Sequence, residues 1–169
     1  MNILLLGGAG FIGSNLAERL AAAGHDITVY DWREDRSNLR GIRGVIRDVR
    51  GDIRDRSGLE ELVGRGRFDG VVHLAAVSRV VTGQRDPGLC VSVNVDGTRE
   101  VLKVLTRAGR PPWLVFGSSR EVYGEPSHLP VREPDVPRPI NVYGMTKLEG
   151  ERLVREAAAG ARLRTVTLR

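Results

Sequence analysis

The sequence predicts an α/β chain folded as a doubly wound parallel sheet of about six strands with helices on both faces. Three observations carry that expectation. Short apolar runs recur without polar alternation, as strands buried on both sides require. Amphipathic stretches at helical spacing separate these runs. A glycine-rich turn joins the first apolar run to the first amphipathic stretch.

The elements follow in order. Residues 3–6 are a strand ending in Gly7 and Gly8, and Ile12, Leu16, Leu20 and Ala23 then recur every four residues, a helical face closed by Gly24. Residues 27–30 are a second strand that ends at Asp31, and the polar stretch 32–44 reads as a loop. Residues 45–49 are a third, weaker strand, and 55–63 a short helix. Residues 70–74 are a fourth strand running into Ala75 and Ala76. Pro87 suits the first turn of a helix, because the N–H it lacks would have no partner there. Leu89, Val93, Gly97, Val101, Leu105 and Ala108 mark one face of that long helix, which ends at Gly109. Residues 113–116 are a fifth strand. The Pro-rich run 126–139 is a loop, since proline removes donors and holds its neighbours extended. Residues 140–159 predict a helix ending at Gly160, and 165–168 a sixth strand. One domain, residues 1–169, accounts for the length.

Composition narrows the function classes. Apolar residues make up 41% and charged residues 28%, a globular balance. The single cysteine, Cys90, excludes a disulfide framework, and three scattered histidines do not form a metal constellation. No apolar run approaches the ~20 residues of a membrane span. The first residues carry no basic segment of a signal peptide, so a cytoplasmic, reduced setting is expected without membrane contact. The net charge of +5 comes with only 5% aromatics and no basic helical stripe, so no nucleic-acid partner is expected, and an anionic small ligand fits the charge better.

The turn Gly7-Gly8-Ala9-Gly10-Phe11-Ile12-Gly13 fits a dinucleotide-binding loop of the Rossmann type. Gly7 permits a tight turn, Gly10 lets a diphosphate approach bare backbone, and Gly13 lets the helix lie close on the sheet. The helix N-terminus then offers N–H groups and a favourable dipole to the phosphates. Asp31 at the end of the second strand is placed to accept both hydroxyls of an adenosine ribose and to repel a 2′-phosphate, which favours NAD over NADP. Arg33 and Arg36 soften that preference. Trp32 either covers the adenine or shields the loop.

Six segments, in order, resemble the extended short-chain dehydrogenase/reductase family of NAD-dependent sugar-nucleotide epimerases and dehydratases. They are the glycine loop, Gly51-Asp52-Ile53-Arg54-Asp55, His73-Leu74-Ala75-Ala76, Asn94-Val95-Asp96-Gly97-Thr98, Ser118-Ser119-Arg120-Glu121-Val122-Tyr123-Gly124 and Tyr143-Gly144-Met145-Thr146-Lys147. The resemblance implies that NAD is held by Gly7, Gly10, Phe11, Ile12, Gly13, Asp31, Asp52, Ile53, Leu74, Ala75, Ala76, Asn94, Tyr143 and Lys147. It implies a nucleotide-sugar substrate, a UDP-sugar above all, and a homodimer through helices 86–108 and 140–159. Family members are about twice this long, and their smaller substrate domain lies beyond the segments found here. A cofactor-binding module without turnover of its own is therefore the rival expectation.

The chemistry implied centres on Tyr143 and Lys147, four apart and so on one helical face. A phenol is a poor base near its ordinary pKa of ~10, and a neighbouring ammonium stabilises phenolate. Ser119 matches the family's catalytic hydroxyl, which bonds the reacting oxygen, while Ser118 is the nearby competitor for that role or else a strand-end cap. Glu121 stands where dehydrating and decarboxylating members carry an acid. Arg120 stands where dehydratases carry a proton-donating aspartic acid, and arginine cannot donate at working pH, so dehydration is disfavoured. The resemblance implies UDP-hexose 4-epimerisation first, by its frequency in the family, with a reductase or decarboxylase of the same family as the alternative. His73 reads as a packed core histidine.

Overall fold

A computed structural model describes residues 1–160 and 163–169 of the chain. Six parallel strands form one sheet in the order β3-β2-β1-β4-β5-β6. They are β1 (Asn2–Leu6), β2 (Asp26–Asp31), β3 (Arg47–Arg50), β4 (Gly70–His73), β5 (Trp113–Gly117) and β6 (Thr165–Leu168). This is the doubly wound Rossmann order, in which the chain reverses direction across the sheet between β1 and β4.

The continuous apolar run of β1 explains its central place. Leu4 and Leu6 face one side, with Tyr30, Val71, Leu114 and Phe116, and are covered by α2 (Arg56–Gly66), α5 (Thr98–Arg107) and α6 (Val142–Gly160). Ile3 and Leu5 face the other side, with Ile27, Val29 and Val72, under α1 (Phe11–Ala22) and the turn that carries Leu39 and Ile42. All four β1 side chains are fully buried, and each contributes about 1.5–3 kcal/mol through the water it leaves. At the far edge the cover thins: Val166 and Leu168 of β6 remain exposed. Among the described residues, no helix is long and apolar enough to cross a membrane.

Three elements differ from the sequence expectation. The third strand begins at Arg47, not at residue 45, because Val45 closes a turn on Ile42 (N–H to O, 3.0 Å) that drives Ile42 and Leu39 into the core. A short helix, α3 (Val80–Arg85), stands in the stretch before Pro87. Its Gly83 lets it approach Cys90 and Tyr143, a tertiary reason that local propensity does not carry. The long helix from Pro87 is continuous but not uniform. It runs as α4 (Pro87–Val91), a wide π-helical turn (Ser92–Gly97) and α5. A π turn carries an extra residue, so the four-residue spacing slips off its face. Cys90 and Asn94 turn inward, while Leu89, expected on the buried face, reaches solvent.

Candidate active site

The glycine turn lies where β1 feeds α1, at the carboxyl edge of the sheet beside the end of β4. Gly7 has φ +82°, and a Cβ there would sit 2.5 Å from the backbone nitrogen of Ala75. A Cβ on Gly13 would meet Gly7 O at 2.5 Å and Gly8 Cα at 2.6 Å. Gly13 thus closes the helix onto the turn itself, rather than onto the sheet as expected from the spacing. Gly10 is different, since a Cβ there would find only Gly7 O, at 3.3 Å. Gly10 is also the N-cap of α1 and offers no side-chain cap, so the first N–H groups of the helix face this opening without one. Phe11 and Ile12 keep their side chains in solvent, leaving their backbone toward the crevice. A diphosphate fits such a cradle by charge and by space.

Asp31 closes one side of the crevice. Its carboxylate is buried and accepts from Ala9 N–H (3.0 Å) and Arg33 N–H (3.0 Å). Arg36 is buried as well, donating to the Asp31 carbonyl (2.9 Å) and pairing with Asp48 (3.1 Å). It is committed to these partners, whereas Arg33 and Trp32 are exposed. Asp52 pairs with Arg54 (2.6 Å), which holds its carboxyl below the usual range. Ile53 turns into the core against Gly97. Leu74, Ala75 and Ala76 continue β4 as the opposite wall, half-buried, with Leu74 N–H bonded to Leu6 O (2.8 Å). Asn94 sits behind that wall. Its amide accepts from Val77 N–H (2.8 Å) and donates to Val77 O (3.2 Å) and Thr146 Oγ1 (2.9 Å), so it ties the wall to α6 rather than opening into the crevice.

The second half of the site is built on α6. Asn141 caps the helix by accepting from Gly144 N–H (2.7 Å) and also donates to Glu121 (2.7 Å). Glu121 pairs with Arg120 as well (2.7 Å). Gly144 lets α6 rest on the Glu121 carbonyl, where a Cβ would come within 2.5 Å. Tyr143 is buried, and burial raises its phenol above the ordinary value, while the Ser119 side chain pulls it down and Glu121 and Cys90 push it up. The expected lowering by Lys147 is not among these influences, and desolvation is the largest of them.

Lys147 lies below, its ammonium 4.5 Å from the centre of the Phe116 ring and only 3% exposed. Burial brings its pKa down to about 8, and the Glu151 charge acts to raise it. His73 is fully enclosed beside it, bonded to Thr98 Oγ1 (3.0 Å) and in edge contact with Phe116. Burial, helped by Lys147, lowers His73 to about 3, so it stays neutral. Ser119 caps the short 3₁₀ turn Arg120–Tyr123, accepting from Glu121 N–H (3.2 Å). The capping expected of Ser118 therefore belongs to Ser119, and Ser118 instead donates to Glu151 (2.5 Å). Asn141, Glu151 and Arg169 escaped the sequence reading. An Asn ahead of a helix is a recognisable cap, and Glu151 is four residues past Lys147. Arg169, which arrives from β6, carries no local signal.

The structure thus brings Tyr143, Lys147, Ser119 and Glu121 to one end of α6, and the glycine loop, Asp31 and Leu74–Ala76 to the adjacent crevice. The family profile described as NAD dependent epimerase/dehydratase family matches residues 3–169. The chain is 36% identical over 173 residues to a UDP-glucose 4-epimerase of Lacticaseibacillus casei, covering 100% of this chain and 50% of that protein. It resembles the structure of UDP-glucose 4-epimerase from Brucella ovis in complex with NAD (TM-score 0.92, 38% identity), covering 99% of this chain and 51% of the other. A second neighbour is the UDP-glucose-4-epimerase from Stenotrophomonas maltophila with bound NAD and formylated UDP-arabinopyranose (TM-score 0.93, 36% identity, 100% and 52% covered). The chain spans about half the length of the curated relatives it matches.

Proposed function

The chain belongs to the NAD dependent epimerase/dehydratase family, and from that premise we propose that it forms the NAD-binding half of a UDP-hexose 4-epimerase-like enzyme. The observation that carries the reading is an open glycine cradle at Gly10, packed through Gly7 on Ala75, whose wall is tied at Val77 through Asn94 to Thr146, between the buried Tyr143 and Lys147. The α1 N-terminus and Gly10 hold the diphosphate, Asp31 the adenosine ribose, the Asp52–Ile53 backbone the adenine, and Leu74–Ala76 the floor. When bound, NAD⁺ supplies the acceptor for a hydride. Tyr143 takes the proton from the sugar hydroxyl, Ser119 bonds the same oxygen and draws the phenol down, and Lys147 holds the nicotinamide ribose. Glu121, steadied by Asn141 and Arg120, borders the same oxygen. The setting we propose is cytoplasmic, with a homodimer formed through 87–107 and α6. Val91 and Met145, both exposed on these helices, suit a contact of that kind.

The test is calorimetry with NAD⁺ on this chain, followed by a turnover assay with UDP-glucose. NAD⁺ binding with interconversion of UDP-glucose and UDP-galactose supports the whole reading. Binding without turnover supports the cofactor-binding module. No binding removes both.

A further inference from the structure

Among the described residues, Glu151 is the one carboxylate placed deep beside the Tyr143–Lys147 pair without a part in the chemistry above. It is only 2% exposed and stands four residues after Lys147 on α6, hence on the same face. A carboxylate buried to this depth is costly unless its lone pairs are met. They are met by three donors from two other elements. Ser118 Oγ donates to one oxygen at 2.5 Å, and Arg169 grips both, with Nε at 2.9 Å and Nη2 at 2.7 Å. Arg169 is itself fixed, donating to Tyr123 OH (2.7 Å) and the Glu133 carbonyl (3.2 Å), with its guanidinium over the Tyr123 ring.

The bonds of Glu151 therefore run to Ser118 and Arg169, while Lys147 lies one helical turn before it on the same buried face, bonded to neither oxygen but within reach of its charge. Lys147 needs it, since the ammonium is enclosed against Phe116, and its other ionisable neighbours are His73 from β4, which is neutral, and Cys90 from α4. Ser118 adds a second link, because it precedes Ser119 in the chain, so the bond that satisfies Glu151 also sets the serine loop against α6.

We infer that Glu151, held by Ser118 and Arg169, is a positioning residue of the Tyr143–Lys147 site, whose buried charge keeps Lys147 an ammonium. The inference rests on the function proposed above for that pair, but its test is independent of turnover. Lys147 and Lys103 are the two lysines of the chain, so ¹³Cε-labelled lysine gives two NMR resonances. Lys103, paired with Glu100 at 2.6 Å on α5, is the internal control.

In the wild-type chain Lys147 titrates near 8. Glu151→Gln keeps the size and the acceptor for Ser118 but removes the charge, and the Lys147 midpoint then falls by about one pH unit while Lys103 does not move. Mere loosening predicts the opposite, since water reaching the ammonium would raise the midpoint toward 10.4. A midpoint that rises or stays in place overturns the inference. Should Glu151→Gln not fold, the double variant Glu151→Met with Arg169→Met decides, because a buried ion pair replaced whole by apolar side chains is often tolerated. The Lys147 midpoint falls there too, and a midpoint that rises or stays in place overturns the inference. Calorimetry with NAD⁺ on the same samples separates the two readings. Loss of binding in the wild-type chain refutes the proposed function and leaves the lysine titration interpretable.

Discussion

The glycine crevice and the α6 site are neighbours built by opposite means. The crevice is made of backbone: Gly7 and Gly13 are pressed against other main-chain atoms, and Gly10 is left bare. The α6 site is made of charge held away from water, with Lys147, Glu151 and His73 each no more than 3% exposed. Close packing is stable as it stands and fails when a methyl group is added. A buried ammonium costs stability while it is present. Substitutions at the packed glycines and at the buried ammonium should therefore impair the same function while moving stability in opposite directions.

The largest expected effect is Gly7→Ala. The new methyl group would lie 2.5 Å from Ala75 N and 2.7 Å from Ala75 Cα, on a residue with φ +82°. Strain in the left-handed region and overpacking together cost about 3 kcal/mol or more. In urea unfolding the midpoint drops with the slope unchanged, and NAD⁺ binding is lost. Wild-type stability in this variant would break the contrast at its strongest point.

Lys147→Met is expected to go the other way. The folded-state pKa of Lys147 is about 8, below the ordinary 10.5. Below pH 8 both folded and unfolded chains carry the proton, and the folded chain bears the full cost of a buried charge. Between 8 and 10.5 the unfolded chain still holds a proton that the folded chain has shed, so stability from this group rises with pH. Above 10.5 the cost is gone. At pH 7 the methionine variant is thus more stable than wild type by about 3 kcal/mol, a Tm higher by several degrees. The advantage fades between pH 8 and 10.5, and the variant binds NAD⁺ more weakly throughout. Calorimetric melting of both proteins across that pH range checks the sign. A less stable variant at pH 7 would mean that Lys147 is not held against its own solvation.

The same contrast explains what could be read without a structure. The crevice was legible because its information is local: three glycines at fixed spacing after a buried strand, and an acid at the end of the next strand. The sheet was legible for the same reason, since the runs at β1, β2, β4 and β5 are apolar on both faces. Tyr143, Lys147 and Ser119 were legible as residue types, but their electrostatics were not. The spacing suggests that Lys147 lowers Tyr143, whereas the fold buries the phenol and places Lys147 against Phe116 and Glu151. Which partner holds Glu151 depends on Arg169 arriving from β6, a tertiary event with no trace in the residues around either one. The π turn at Ser92–Gly97 was hidden likewise: its pull comes from Asn94 reaching Val77 and Thr146, far away in sequence.

Gly10→Ala is the smallest change in stability and the sharpest for the crevice. Gly10 already has φ −71° and ψ 174°, extended backbone that alanine adopts without strain. Its Cβ would meet only Gly7 O at 3.3 Å, which yields by a few tenths of an ångström. Stability should therefore stay within about 0.5 kcal/mol of wild type. The methyl group nevertheless projects over the α1 N-terminus, where a diphosphate must come down onto the N–H groups, and NAD⁺ affinity should fall by about tenfold or more, about 1.4 kcal/mol. Because the fold is undisturbed, calorimetry then reads the cradle alone. An unchanged affinity would place the phosphates elsewhere and leave Gly10 as a plain turn residue, and with that the backbone-built half of the contrast would lose its functional meaning.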